Sequence, residues 1–173
     1  MKKILKDAFS LLMITLIAGI LLGAVYYITK EPIARQEQLI KDASCQEVFS
    51  DAVSCEADEA DAEAATAAMQ AAGYTVQTLD EILIAKDASG EALGYVLSIT
   101  DPEGYGGNIS FMMGIRMDGT QNGISILSIS ETAGLGMNAK TDAFRNQFKD
   151  KNVEQFTLTK TGSTADSEID ALS

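Results

Sequence analysis

Histidine is absent from this chain, and cysteine occurs only twice, at Cys45 and Cys55. Without an imidazole there is no Ser-His-Asp or Cys-His relay, and most zinc sites are excluded. Two thiols are too few for an iron–sulfur cluster, which takes about four thiolates. Two readings of the pair stay open: a disulfide closing a short loop, if the domain lies outside the cytoplasm, or two free thiols. Basic residues are scarce as well, 13 Lys and Arg against 25 Asp and Glu, for a formal net charge of −12. Nucleic acid is therefore not an expected partner, because phosphate neutralisation needs clustered Lys and Arg. The acids concentrate between Asp42 and Glu63, a stretch with no Lys or Arg that reads as a solvated face.

Charge of either sign is missing from Ala8 to Thr29, AFSLLMITLIAGILLGAVYYIT, which has the length and polarity of a bilayer span. Tyr26 and Tyr27 stand near its far end, where aromatic rings favour the headgroup region and membrane lipid is the expected neighbour. A cleaved signal peptide has a shorter apolar region ending in a small-x-small site. Here the run leads into Tyr26-Tyr27-Ile28 instead, and the expectation is an uncleaved anchor. Lys2, Lys3 and Lys6 precede the span, whereas Lys30 and Arg35 follow it among Glu31 and Glu37. The positive-inside rule then puts the N-terminus in the cytoplasm and the remainder outside.

At 173 residues the chain has room for one membrane element and one compact domain. The expected division is an anchor over 1–30, a juxtamembrane and acidic helical region over 31–73, and a domain over 74–173. Pro32 suits the first turn of a new helix or a kink in a continued one. Ala57 to Ala72 is rich in alanine and glutamate and predicts a helix stopped by Gly73. From Tyr74 the period changes, and strands are predicted at Glu81–Lys86, Ala92–Thr100, Ile109–Met117 and Gly123–Ser130. Between them lie short turn sequences such as Asp87-Ala88-Ser89-Gly90 and Asp118-Gly119-Thr120-Gln121-Asn122, which favour antiparallel hairpins. Thr141 to Asp150 predicts an amphipathic helix with Thr141 as N-cap and Phe144 and Phe148 on one face. A short strand around Glu154–Thr159 and a polar tail complete an α+β pattern with a mainly antiparallel sheet flanked by helices.

Three stretches are candidates for chemistry. Glu131-Thr132-Ala133-Gly134-Leu135-Gly136 leaves a buried-looking strand, and its glycines allow the chain to come close to a ligand. It carries neither GxGxxG nor a Gly-Lys-Ser/Thr phosphate loop. Gly104-Tyr105-Gly106-Gly107-Asn108 sets a tyrosine among glycines, where a flat ring can lie. Thr157 to Ser173 is crowded with hydroxyls. Taken singly, each stretch is equally a connecting turn or a solvated tail.

Taken together, GYGGNI at Gly104–Ile109, ETAGLG at Glu131–Gly136, FRNQF at Phe144–Phe148 and the closing DALS at Asp170–Ser173 resemble one family. It is that of the membrane-anchored FMN-binding subunits of redox-driven ion pumps. The nearest resemblance is to the G subunit of the Rnf electron transport complex, with the C subunit of the sodium-pumping NADH:quinone reductase as a longer cousin. The resemblance implies an electron carrier on the extracytoplasmic side of a ferredoxin:NAD oxidoreductase, working with other subunits of a membrane redox complex and having little activity alone. It implies FMN as cofactor, with Tyr105, Gly106 and Gly107 beside it and Glu131, Thr132, Gly134, Leu135 and Gly136 facing it. Leu172 and Ser173 would begin the attachment turn, which in the family continues as S-G-A-T-x-[ST]. The threonine of that motif carries FMN through a phosphoester, and it would be the third residue after Ser173, so the sequence is expected to be truncated there. Ala133 stands where the family commonly has proline, which costs some loop rigidity and no functional group. Two alternatives are a membrane-anchored binding or scaffold module without a redox cofactor, and a stand-alone extracytoplasmic flavoprotein.

Overall fold

A computed structural model describes residues 2–58 and 61–172. The chain divides into two compact units, Met1–Leu39 and Ile40–Ser173. The first helix, α1 (Lys2–Val48), supplies the first unit and the opening of the second, and it runs on through Pro32.

In the first unit α1 is long and apolar enough to cross a membrane, and no part of its most apolar window is buried. Leu11, Leu12, Ile14, Ile17, Ile20, Leu21 and Val25 present bare apolar surface. Its hydroxyls are satisfied within the helix. Ser10 Oγ donates to the Lys6 carbonyl at 3.0 Å, and Thr29 Oγ1 donates to that of Val25 at 2.9 Å. Thr15 Oγ1 reaches the Leu11 and Leu12 carbonyls at 3.1 and 3.0 Å. Such back-bonding is what polar side chains need where water is excluded.

The second unit is built on a five-stranded antiparallel meander in simple sequence order, β1 (Ser54–Ala57), β2 (Thr78–Lys86), β3 (Ala92–Asp101), β4 (Ile109–Arg116) and β5 (Gln121–Ser128). The last four match the predicted strands to within a few residues. β1 was not foreseen: four residues of an acid-rich stretch pair with Leu83–Lys86 of β2. Cys55 within it is disulfide-bonded to Cys45 of α1, with Cα atoms 6.6 Å apart, so the thiols are not free.

Between β1 and β2 lies α2 (Ala62–Ala71), shorter than the predicted Ala57–Ala72 because its expected start belongs to β1. Its end is as expected. Gly73 adopts φ +97°, its amide donates to Gln70 O at 3.0 Å, and Tyr74 N donates to Met69 O at 3.0 Å. These are the paired bonds of a Schellman stop. The helix has no buried side chain, consistent with its alanine-rich face.

One sheet face makes the core. Cys45, Val48, Phe49 and Ala52 pack on Leu83, Ala85, Val96 and Met112. Full burial of side chains such as Val48 and Phe49 contributes roughly 1.5–3 kcal/mol each. Gly94 on β3 and Gly114 on β4 hollow the sheet beneath them, since a Cβ at Gly94 would stand 2.7 Å from Phe49 Cζ and one at Gly114 3.0 Å from Phe49 Cε2. Lys41 Nζ pairs with Glu81 at 2.5 Å, and Glu47 receives both the Ser125 hydroxyl and the Arg145 guanidinium.

Beyond β5 the chain is less regular than expected. A 3-10 turn at Gly136–Lys140 leads to α3 (Asp142–Arg145), which tightens into a second 3-10 turn at Asn146–Phe148. The predicted single helix over Thr141–Asp150 is thus two short turns. Thr141 does not cap with its side chain; its hydroxyl donates backwards to Asn138 O at 2.6 Å. Phe144 and Phe148 do meet, edge to face at 5.4 Å, and Phe148 meets Phe156 at the same distance. β6 (Thr157–Thr159) and β7 (Glu168–Asp170), the latter inside the tail read as polar chain, form a separate parallel pair.

Candidate functional site

The β3–β4 connection and the chain leaving β5 are joined at one point. The Gly106 amide donates to Glu131 Oε1 at 3.0 Å. Close packing follows from the glycines on both sides. A Cβ on Gly106 would fall inside the van der Waals shell of the Ser130 carbonyl, and one on Gly104 would stand 2.9 Å from Glu131 Oε1. A Cβ on Gly136 would be 2.6 Å from that of Glu131. These glycines are there because two backbones and an acidic side chain share a space that leaves no room for a methyl group.

Each loop is also closed on itself. Glu103 N donates to Asp101 Oδ1 at 2.9 Å, and Gly107 N to Gly104 O at 3.3 Å. In the second loop Leu135 N and Met137 N both donate to Thr132 O, at 3.1 and 3.2 Å. Gly134 sits at φ +76°, a conformation that disfavours L side chains, and its carbonyl accepts from Asn138 Nδ2 at 3.1 Å. Asn138 was not foreseen as part of the loop; a side-chain amide bonding four residues back leaves no spacing signal.

The structure brings Gly104 and Gly106 of the first loop against Ser130 and Glu131 of the second, and Gly136 against Glu131, while Tyr105, Gly107, Thr132, Gly134 and Leu135 lie on the same two loops. Tyr105 is 95 % exposed and Leu135 54 % exposed, an aromatic ring and an aliphatic side chain in water on two bonded loops. A planar, largely apolar ring system fits such a pair. A free phosphate dianion does not fit the same loops, because no Lys or Arg occurs from Thr100 to Ile115 or from Met117 to Ala139. Among the described residues no group of acids and thiols could hold a metal ion.

The tail is held elsewhere. Asp170 N donates to Gln147 Oε1 at 2.6 Å, and Ala171 N to Thr159 O at 2.8 Å. Leu172 follows, 37 % exposed, and among the described residues no hydrogen bond joins it to either loop. Ser173 lies outside the described residues. Gln147, whose side-chain amide meets the Asp170 backbone, was not foreseen either, because its partner lies 23 residues away.

Acidic groups on the tail are strongly solvated by donors. Hydrogen bonds from the Thr164 amide and hydroxyl and the Ala165 amide hold Glu168 below the usual carboxylate range. Lys151, bonded at 2.6 Å, does the same for Asp166.

Residues 104–173 match the family model of the FMN-binding domain, and residues 1–48 match that of the RnfG N-terminal region. The chain is 32 % identical over 144 residues to the G subunit of the proton-translocating ferredoxin:NAD(+) oxidoreductase complex of Clostridium ljungdahlii, covering 83 % of this chain and 67 % of that protein. It is 28 % identical over 173 residues to the G subunit of the Na(+)-translocating ferredoxin:NAD(+) oxidoreductase complex of Acetobacterium woodii, covering 99 % of this chain and 82 % of that one. The crystal structure of Shewanella oneidensis NqrC superposes with a TM-score of 0.46 at 18 % identity, over 54 % of this chain and 46 % of the other. With the N-terminal match to the RnfG model and a G subunit 32 % identical over two thirds of its own length, the chain belongs to the RnfG family, the G subunits of ion-translocating ferredoxin:NAD(+) oxidoreductase complexes.

Proposed function

We propose that this chain is the electron-carrier subunit of a membrane-bound, ion-translocating ferredoxin:NAD oxidoreductase, holding FMN at the paired loops. The observation that carries this reading is the Gly106–Glu131 bond, which makes one platform of two loops that both fall within the FMN-binding match. Bound flavin supplies reversible electron transfer, and the chain supplies binding and orientation. Tyr105 and Leu135 offer the ring its apolar contact, and Glu131 fixes the turn that carries Tyr105. The chain works as one subunit among several, anchored in lipid by the α1 span, and has little activity alone. The span has no charged residue between Ala8 and Thr29, so the coupling ion is carried elsewhere in the complex.

The cofactor is held covalently in this reading. With no basic residue in either loop, a free phosphate dianion would be poorly retained outside the cell. A phosphoester to a threonine hydroxyl lowers that charge and prevents loss by dilution. With a flavin dinucleotide as phosphoryl donor, the threonine oxygen–phosphorus bond forms as the pyrophosphate bond breaks. The hydroxyl proton is released and a nucleoside monophosphate leaves. The N-terminus is cytoplasmic, the span crosses once, and the domain is extracytoplasmic, following Lys2, Lys3 and Lys6.

The test is the intact mass of the protein from its native membrane, together with filtration after denaturation. A polypeptide carrying one esterified FMN that filtration does not remove is expected. Flavin that filters away refutes the covalent link, and protein with no flavin before denaturation refutes the carrier. Protease added to intact spheroplasts should reach the domain; protection would reverse the orientation.

A further inference from the structure

We infer that Asn138 is a positioning residue that holds Leu135 in place to contact the flavin ring, an inference that rests on the flavin reading above and not on the covalent link. Asn138 donates to the carbonyls on both sides of the Leu135 α-carbon. Its side-chain Nδ2 bonds Gly134 O at 3.1 Å, and its backbone N bonds Leu135 O at 2.9 Å. The Leu135 amide itself donates to Thr132 O at 3.1 Å. Both polar groups of the Gly134–Leu135 peptide and the carbonyl that follows are thus occupied, two of the three by one residue. Asn138 is anchored in turn at the entry to α3, where its carbonyl accepts from the Thr141 hydroxyl at 2.6 Å and from the Thr141 amide at 2.9 Å. Ala139, next in sequence, is buried.

Packing does not impose this shape on the loop. Nothing lies within 4 Å of where a Cβ on Gly134 would stand, so the glycine is required by its φ of +76° and not by a crowded neighbour. Nor does the turn shield a core, for Thr132, Ala133, Gly134 and Leu135 are all exposed. What fixes it is hydrogen bonding, and Asn138 supplies the side-chain share. An apolar side chain left in water on a backbone bonded at every polar group gains no burial from being held. It does gain a fixed place. A ligand that meets a contact already in position loses less free energy to ordering on binding, and a flat apolar ring is the ligand that an exposed leucine suits. Asn138 touches no part of that ring contact itself and acts through Leu135.

The experiment uses the full-length protein purified from its native host, with N138A, N138D, L135A and the double variant N138A/L135A. Both changes at Asn138 remove the donor to Gly134 O, N138A without adding charge and N138D without changing volume. The readout is quenching of flavin fluorescence by acrylamide, an uncharged probe, expressed per bound flavin so that loading does not enter. Only variants that melt in the wild-type transition are compared. N138A and N138D are each expected to raise the quenching constant severalfold, and L135A to raise it as far. The double variant should go no further than L135A, since a residue acting through Leu135 has nothing left to position once the leucine is gone. Wild-type quenching in either folded Asn138 variant overturns the positioning role and leaves the flavin reading standing. A double variant in which the two single effects multiply overturns it too, because Asn138 then acts without Leu135. Wild type without flavin overturns both readings together.

Discussion

The amide of Gly106 and the carboxylate of Glu131, 25 residues apart, meet at 3.0 Å and hold two loops as one surface. Whether that contact matters is decided by two substitutions. Gly106→Ala pushes a methyl group into the Ser130 carbonyl and must part the loops. It should reduce flavin content several-fold while the melting temperature of the sheet changes little, since Gly106 is outside the core. Glu131→Gln keeps an acceptor and should retain most of the flavin. Equal flavin content in Gly106→Ala and wild type would show that the loops do not act together.

The hollow beneath Phe49 makes a graded prediction. Gly94→Ala meets both Phe49 Cζ at 2.7 Å and the Ile115 carbonyl, whereas the nearest atom to a new methyl at Gly114 is 3.0 Å away. Overpacking costs about 1–3 kcal/mol, and Gly94→Ala should fall at the upper end with Gly114→Ala below it. Denaturant unfolding of the two variants checks the order, and the reverse order would contradict this packing.

Reduction of Cys45–Cys55, or replacement of both by serine, opens a loop with a sequence separation of 10. The chain-entropy argument assigns about 2–3 kcal/mol to a loop of that size. Stability should fall by that amount, and amide exchange should rise first in β1, whose remaining hold is its pairing with β2. Unchanged stability under reductant would mean that the crosslink is idle.

Acid should loosen the tail before the sheet. Glu168 and Asp166 are both held below their ordinary values of 4.5 and 3.8, Glu168 by the Thr164 and Ala165 donors and Asp166 by Lys151. A depressed carboxylate contributes stability above its unfolded pKa and loses it as pH falls through the folded one. The contribution is therefore full at neutral pH, begins to fall as pH reaches the ordinary values of 4.5 and 3.8, and is lost as pH drops through the lower folded values. Exchange at the amides of Thr164 and Ala165 should accelerate in that range, and Glu168→Gln should abolish most of the pH dependence. Acceleration beginning near pH 6 would point to a different group.

Four of the five meander strands and the stop of α2 were legible because they are written in local chemistry. Asp-Gly and Ser-Gly turns, alternating apolar residues and Gly73 act within a few residues of themselves. β1 was not legible, because Ser54–Ala57 has no alternation and is a strand through partners at Cys45 and along β2. The helix expected over Thr141–Asp150 breaks at Asn146, where Phe148 must meet Phe156 as well as Phe144. In the candidate site the glycine loops announced themselves by composition. Asn138 and Gln147 did not, since an amide side chain is informative only when its partner in space is known.

The sequential order of the meander also sets a timetable. Each strand from β1 to β5 pairs with the one before it, so the sheet can close hairpin by hairpin as the chain is delivered, with little loop entropy to overcome. The apolar plug of Val48 and Phe49 precedes every strand that covers it. It must wait, uncovered, until β4 has been made. For a protein delivered N-terminus first, the most vulnerable interval lies between residue 49 and residue 114, and a chaperone that shields apolar helix ends is needed most over that span.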